Sequence, residues 1–316
     1  MGKSGQWQVS DGGLPLIESW EQLQGLATLP PRIVWERDRK EMALIPAGSF
    51  IMGTTVADAR HMVDEFEWSL PWAMAETPQR QETLPDYYLD VVPVTHNDFA
   101  RFLAEHADHP PPVVNEPWAQ PYSWDEQSRR PPELLLNHPV VMVSWEDAQA
   151  HSRWVGKVLP SEEQWEKGAR GEDGRRFPWG NAWESERLNC AERLTGHEIS
   201  KVRQWQEWWA ANEATVHQAV NTTGVGQYPA GASPYGLLDM GGNVWEWCDA
   251  WYDAYPGSQA EHENFGMQFK VLRGGSWMGT RRNVRCAFRL RNPSDARLNN
   301  VGFRCASPPF NLLTSD

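Results

Sequence analysis

The sequence predicts an α+β fold, loop-rich, with short strands and a few short helices. Three observations carry this prediction. Apolar residues recur at helical spacing only over brief segments, and the clearest of these open on capping residues. Strand-like apolar runs are short and bounded by Gly or Pro. The 316 residues include 24 Pro, 25 Gly and 19 Trp, which suits irregular backbone held by large aromatic anchors rather than long helical bundles.

The elements follow in order. SWEQLQGLATLP reads as a short helix ending before Pro30. ALIPAGSFIMGT reads as two short strands around a Pro-Ala-Gly turn. Residues 56–80 are acidic and aromatic and read as a loop with one short helix. YYLDVVPVT is a strand interrupted by Pro93. Thr95 then caps a helix with Phe99, Phe102 and Leu103 on one face. HPVVMVSW reads as a short buried strand. Ser144, with Asp147 three residues on, opens a helix that Gly156 ends, and Ser161 opens another through S-x-x-Q that ends at Gly171. Residues 198–213 carry a helical stripe of Val202, Trp205, Trp208 and Trp209. The rest is loop and brief strand. The organisation expected is an N-terminal extension (1–40), one domain (41–309) and a tail (310–316).

Composition excludes several function classes. There are 29 Lys+Arg against 42 Asp+Glu, a net charge of −13, with 40% hydrophobic residues. The chain is too apolar for disorder and, as a whole, repels nucleic acid. It has no run of 18 apolar residues, so no membrane partner is expected. The start lacks a secretory pattern, and Gln6 stands where a myristoylation site wants Ser or Thr. Cys190, Cys248, Cys286 and Cys305 form no C-x-x-C pair, so reduced thiols in a cytoplasm are expected.

Five segments, in order, carry a resemblance. They are IPAGSFIMG (45–53), HPVVMVSWEDAQAHSRWVGKVLPSEEQWEKGARG (138–171), FPWGN (177–181), YGLLDMGGNVWEWC (235–248) and LRGGSW…GFRCA (272–306). Together they resemble the formylglycine-generating enzyme, or sulfatase-modifying factor, family over about residues 40–308. The resemblance implies a C-type lectin-like fold. It also implies structural Ca²⁺ at positions matching Asp239, Gly242, Val244 and Glu246, and a second site beginning at Asn189 and Cys190. The residues themselves suit this, since oxygen-bearing side chains and glycine-exposed carbonyls are hard ligands. The competing reading is that Asn243 and Glu246 only brace a turn. Cys286 and Cys305 match family disulfide cysteines whose partner positions here are Ala169 and Ser152, which implies free thiols.

The family's enzymes carry two copper-binding cysteines just after R-G-G-S-[YW]. Here that stretch is RGGSWMGTRRNVRCAF, with Gly279 at the first cysteine position and a shortened loop at the second. The H-x-x-x-H-x-E iron motif of the sulfoxide-forming branch is missing from the sequence. No copper or iron and no catalytic residue is therefore expected.

Residues 271–305 hold eight Arg, no Lys and one acid, Asp295. Arg without Lys suits bidentate pairing. Arg273, Arg285, Arg289 and Arg304 are either internal partners of the GGNVWEW acids or part of a surface. Between framework residues stand Met278, Gly279, Thr280, Arg281, Arg282, Phe288, Leu290, Ala296, Leu298, Asn299 and Asn300. This layout resembles the variable proteins of diversity-generating retroelements, which implies a mutable ligand-binding face. The function expected is a non-catalytic, monomeric binding protein for a protein or other macromolecule, with nucleic acid disfavoured as a partner. Trp205 and Trp209 are candidate additions to the face. The alternative is a metal-dependent oxidoreductase with a non-standard site.

Overall fold

Strand pairing begins earlier in the chain than the sequence implies. In the computed structural model, which describes residues 8–308, β1 (Gln8–Val9) pairs antiparallel with β2 (Pro15–Ile17). Strand β2 pairs parallel with β3 (Arg32–Trp35), and β3 antiparallel with β4 (Glu41–Ile45). Trp20 and Trp35 stack with ring centroids 3.8 Å apart, and their indole N–H groups donate to the carbonyls of Gly156 and Val155. The supposed extension therefore builds sheet and core of the main domain. Polar residues between its short strands hid this from the sequence. The tail 310–316 lies outside the described residues.

Strand β5 (Gly48–Met52) follows the Pro-Ala-Gly turn as expected. The acidic stretch after it holds two helices rather than one, α1 (Val56–Phe66) and α2 (Leu70–Met74). Thr55 caps α1 by accepting the Asp58 N–H at 3.0 Å, and Ala59, Met62 and Phe66 are its buried face. Strand β6 (Arg80–Leu84) pairs with β5, and β7 (Tyr87–Asp90) with β4. Helices α3 (His96–Glu105), α4 (Trp145–Trp154) and α5 (Glu162–Arg170) start at the predicted caps. The hydroxyls of Thr95, Ser144 and Ser161 accept N–H groups at 3.1, 3.1 and 3.2 Å. HPVVMVSW is extended and buried but joins no sheet. Its N–H groups go singly to Val94 and Leu298 carbonyls, and Met142 turns through φ 57°.

Helices α6 (Ala191–Thr195) and α7 (Val202–Val216) precede the last sheet. That sheet contains β8 (Trp245–Trp251), β9 (Lys270–Arg273), β10 (Leu290–Asn292) and β11 (Val301–Gly302), in the order β10-β9-β8-β11. One core cluster packs α3 residues Phe99 and Phe102 against Trp245, Trp247, Phe288 and Phe303. A second joins Ile45, Tyr87 and Leu89 to Trp165, Leu237 and Tyr252. No helix among the described residues is long and apolar enough to cross a membrane.

Candidate ligand-binding cleft

The buried arginines of residues 271–305 are the frame of the site. Arg304 is fully buried and donates Nε and Nη2 to both oxygens of Glu246, each at 2.7 Å. Arg285 grips Glu76 through Nη1 and Nη2 at 2.8 and 2.7 Å. Arg289 bonds Glu162 through Nη2 at 2.8 Å, and Arg273 bonds both Glu162 and Glu166. The four predicted internal arginines are thus internal. Only Arg304 takes its partner from GGNVWEW; the others use acids of α5 and the loop after α2. Such pairs are bidentate and directional, so they fix the backbone of the loops that bear them.

Between these fixed points the chain leaves an open cleft of about 230 Å³. Its lining comes from the loop 276–283, the starts of β8 and β10, Asn300 and the first turn of α7. The lining includes Trp245, Ser276, Met278, Gly279, Thr280, Arg282, Asn283, Leu290 and Asn300, with Val202 and Trp205 from α7. Six predicted face residues thus converge: Met278, Gly279, Thr280, Arg282, Leu290 and Asn300. Trp205 joins them as expected. Trp208 and Trp209 continue the aromatic wall along α7, half-buried, with Trp205 and Trp208 stacked at 5.6 Å. Ser276, Asn283 and Trp245 were missed, because the sequence reads the first and last as framework and gives Asn283 no distinguishing pattern.

Other predicted face residues lie elsewhere. Phe288 is core, stacked on Trp68 at 5.5 Å and tilted against Trp245. Ala296 and Leu298 pack on the same core cluster. Asn299 is buried and donates to the Trp118 carbonyl at 3.2 Å. Arg281 sits beside the cleft, paired with Glu65 at 3.3 Å and Glu198 at 3.5 Å. Their positions between framework residues suggest a ligand face in the sequence, but Phe288, Ala296, Leu298 and Asn299 serve the fold. Gly279 lines the cleft but is not freely replaceable. A Cβ there would stand 2.9 Å from the Ser276 carbonyl oxygen and 3.0 Å from Val284. Gly279→Cys is expected to cost about 1–3 kcal/mol by overpacking, measured as a lower urea midpoint. An unchanged midpoint would show that the loop relaxes freely.

The resemblance places calcium at Asp239, Gly242, Val244 and Glu246, with a second site beginning at Asn189 and Cys190. The Glu246 carboxylate accepts three N–H groups, two from Arg304 and one from Trp165 at 2.7 Å, donors that compete for the oxygens a cation would take. Asn189 lies against Gly242 and Asn243 of the first set. The Asn189 carbonyl accepts the Asn243 N–H at 2.8 Å, and its side chain donates to Asn221 and Asn243. The Cys190 carbonyl accepts from Arg193. Asp239 does suit a cation. It is buried, its Oδ2 accepts the Gly226 N–H at 2.7 Å, and burial pushes its carboxyl up to about 6. Gly242 sits at φ 79° against the Asn189 carbonyl, where any Cβ would collide. Among the described residues no three His, Cys, Asp or Glu side chains converge as a metal cluster.

The four cysteines are buried and unpaired. The Ser152 hydroxyl lies 3.3 Å from Cys305 Sγ, so serine stands where the resemblance places a disulfide partner. Burial raises the thiols, Cys190 to about 11 and Cys286 to about 12, so neither offers a thiolate at neutral pH.

The Sulfatase-modifying factor enzyme 1-like domain model matches residues 32–308. The chain belongs to the sulfatase-modifying factor family. Its relatives in that family include the mouse "Inactive C-alpha-formylglycine-generating enzyme 2", 29% identical, with 95% of this chain and 96% of that one aligned. The mouse "Formylglycine-generating enzyme" is 30% identical, covering 87% of this chain and 77% of the relative. Among solved structures, Treponema denticola variable protein 1 superposes with a TM-score of 0.56 at 18% identity, covering 85% of this chain and 95% of that one. The last likeness shows the shared C-type lectin-like fold.

Proposed function

We propose that this member of the sulfatase-modifying factor family is a non-catalytic binding protein that presents the cleft and the α7 aromatic wall to a macromolecular ligand. One observation carries the reading. The family's first active-site cysteine position is Gly279, where a Cβ would press on the Ser276 carbonyl, and among the described residues no thiol lines the cleft. The residues that do line it are aromatic, aliphatic, amide and Arg, the mixture that anchors protein interfaces. The buried Arg–carboxylate frame supports the reading further. It holds the loops independently of the exposed side chains, so these can change at small cost in stability. That is the property a diversified display surface requires.

Two measurements test the reading. Purified chain, supplied with copper(I) and a cysteine-containing sulfatase-type peptide, is expected to give no formylglycine by mass spectrometry. Product formation would overturn the non-catalytic assignment. Sequencing sibling gene copies is expected to show substitutions gathered at Met278, Thr280, Arg281, Arg282, Leu290 and Asn300. The same copies should spare Gly279, Phe288 and Asn299. Changes spread evenly along the chain would end the display reading. For structural Ca²⁺ the supporting feature is Asp239, with the Gly242 and Val244 carbonyls as its proposed companions.

A further inference from the structure

Six of the eight arginines in residues 271–305 are ion-paired: Arg273, Arg281, Arg285, Arg289, Arg297 and Arg304. Arg282 has no carboxylate within ion-pair distance among the described residues, and its Nε is buried without a hydrogen-bond partner. Its guanidinium lies over the Trp68 ring, 4.8 Å from the centroid, and lines the cleft. The Glu76 carboxylate near it is already held on both oxygens by Arg285. Burial and the Arg285 charge push Arg282 down to about 10, still cationic at neutral pH. Among the described residues, every other side chain lining the cleft is neutral. The site therefore contains one positive charge, stacked and partly desolvated, with its counter-charge missing. Stacking fixes the planar fork, so little entropy is lost when an anion binds it.

The geometry points to an acidic polypeptide segment as the ligand, with one carboxylate on Arg282 and an apolar neighbour against Trp205 and Trp245. A single carboxylate matches a single guanidinium, whereas a phosphate dianion would leave charge unmet. Ser276, Asn283 and Asn300 supply hydroxyl and amide groups that can pair with peptide N–H and C=O. The half-exposed Trp208 and Trp209 continue the wall beyond the cleft, which suits an extended chain rather than a small anion. The net charge of −13 opposes a polyanion such as nucleic acid.

This inference rests on the binding reading above, and one experiment separates the two. A random linear peptide library displayed on phage is selected against the wild-type chain. Enriched peptides are made synthetically and titrated by calorimetry, each beside its copy with Glu or Asp changed to the amide. The expected result is enrichment for an acid next to an apolar residue, with affinity falling about tenfold or more in the amide copy. The same loss is expected on Arg282→Gln, while Arg153→Gln, on the exposed face of α4 and outside the cleft lining, leaves binding unchanged. The amide comparison uses the wild-type chain, so it stands even if a variant misfolds. Peptides that lose binding on Leu290→Asp but ignore both the amide change and Arg282→Gln would overturn the carboxylate and keep the binding face. Absence of any Leu290-dependent peptide would overturn both.

Discussion

Glu246→Ala is expected to lower stability by about 3–5 kcal/mol, by the same amount in calcium and in chelator. The reason is the environment of Arg304. This guanidinium is fully buried, and besides Glu246 it donates to the carbonyls of Asp90, Val91 and Leu238. Removing the carboxylate leaves a buried cation without its counter-ion, and also strands the Trp165 indole N–H. The damage spreads because Arg304 ties β7 and the 238–246 segment to the chain end after β11. Urea unfolding at neutral pH measures the loss. If the loss appears only with calcium present, Glu246 is a metal ligand after all and the Arg304 assignment fails. Asp239→Ala supplies the complementary comparison. Any calcium-dependent rise in melting temperature is expected to vanish in that variant and to persist in Glu246→Ala.

Mild acid is expected to destabilise the fold through two buried histidines. His151 is fully buried among Phe99, Phe102, Trp154 and Phe303, and neither ring nitrogen has a partner. His96 is equally buried; its Nδ1 accepts the Trp124 indole N–H at 2.9 Å, and its Nε2 is unpartnered. Burial pushes both down to about 3. The unfolded chain, with ordinary histidines near 6.5, binds protons first as pH falls. Stability is therefore full above about pH 6.5 and is lost steadily below it, by roughly 2 kcal/mol per histidine at pH 5. Asp239 acts in the opposite sense, because its raised value favours the folded state as pH drops through about 6, so the net slope is smaller than the histidines alone would give. The check is the urea midpoint against pH. His151→Leu is expected to flatten the curve between pH 5 and 6.5. An unaltered slope in that variant would show that His151 does not titrate on unfolding.

Legibility in the sequence followed the range of the interaction. The caps at Thr95, Ser144 and Ser161 were readable because a side chain and an N–H three residues on suffice to make them. Helix α1 carries the same kind of cap at Thr55, yet the dense acids around it concealed its apolar face. Strands β1 to β3 were illegible because each is only two to four residues long, and the tryptophans packed around them are held by carbonyls far along the chain, at Val155 and Gly156. Glu246 shows the same limit at the site. Its spacing suits a calcium loop, and the arginine that holds its carboxylate, 58 residues away, is invisible in that spacing.

The sequence by itself determined the family, the glycine at position 279 and the concentration of Arg in residues 271–305. These are matters of residue identity and order, and no coordinates are needed to state them. Only the tertiary structure decided which arginines are spent. Six of the eight meet carboxylates from α1, α4, α5, β8 or nearby loops, and among the described residues Arg282 and Arg291 do not. Only it separated Leu290, in the cleft, from Phe288, in the core two residues away. Charge is compensated and side chains are desolvated by whatever lies nearby in space. Composition carries that information only as a sum, and folding resolves it residue by residue.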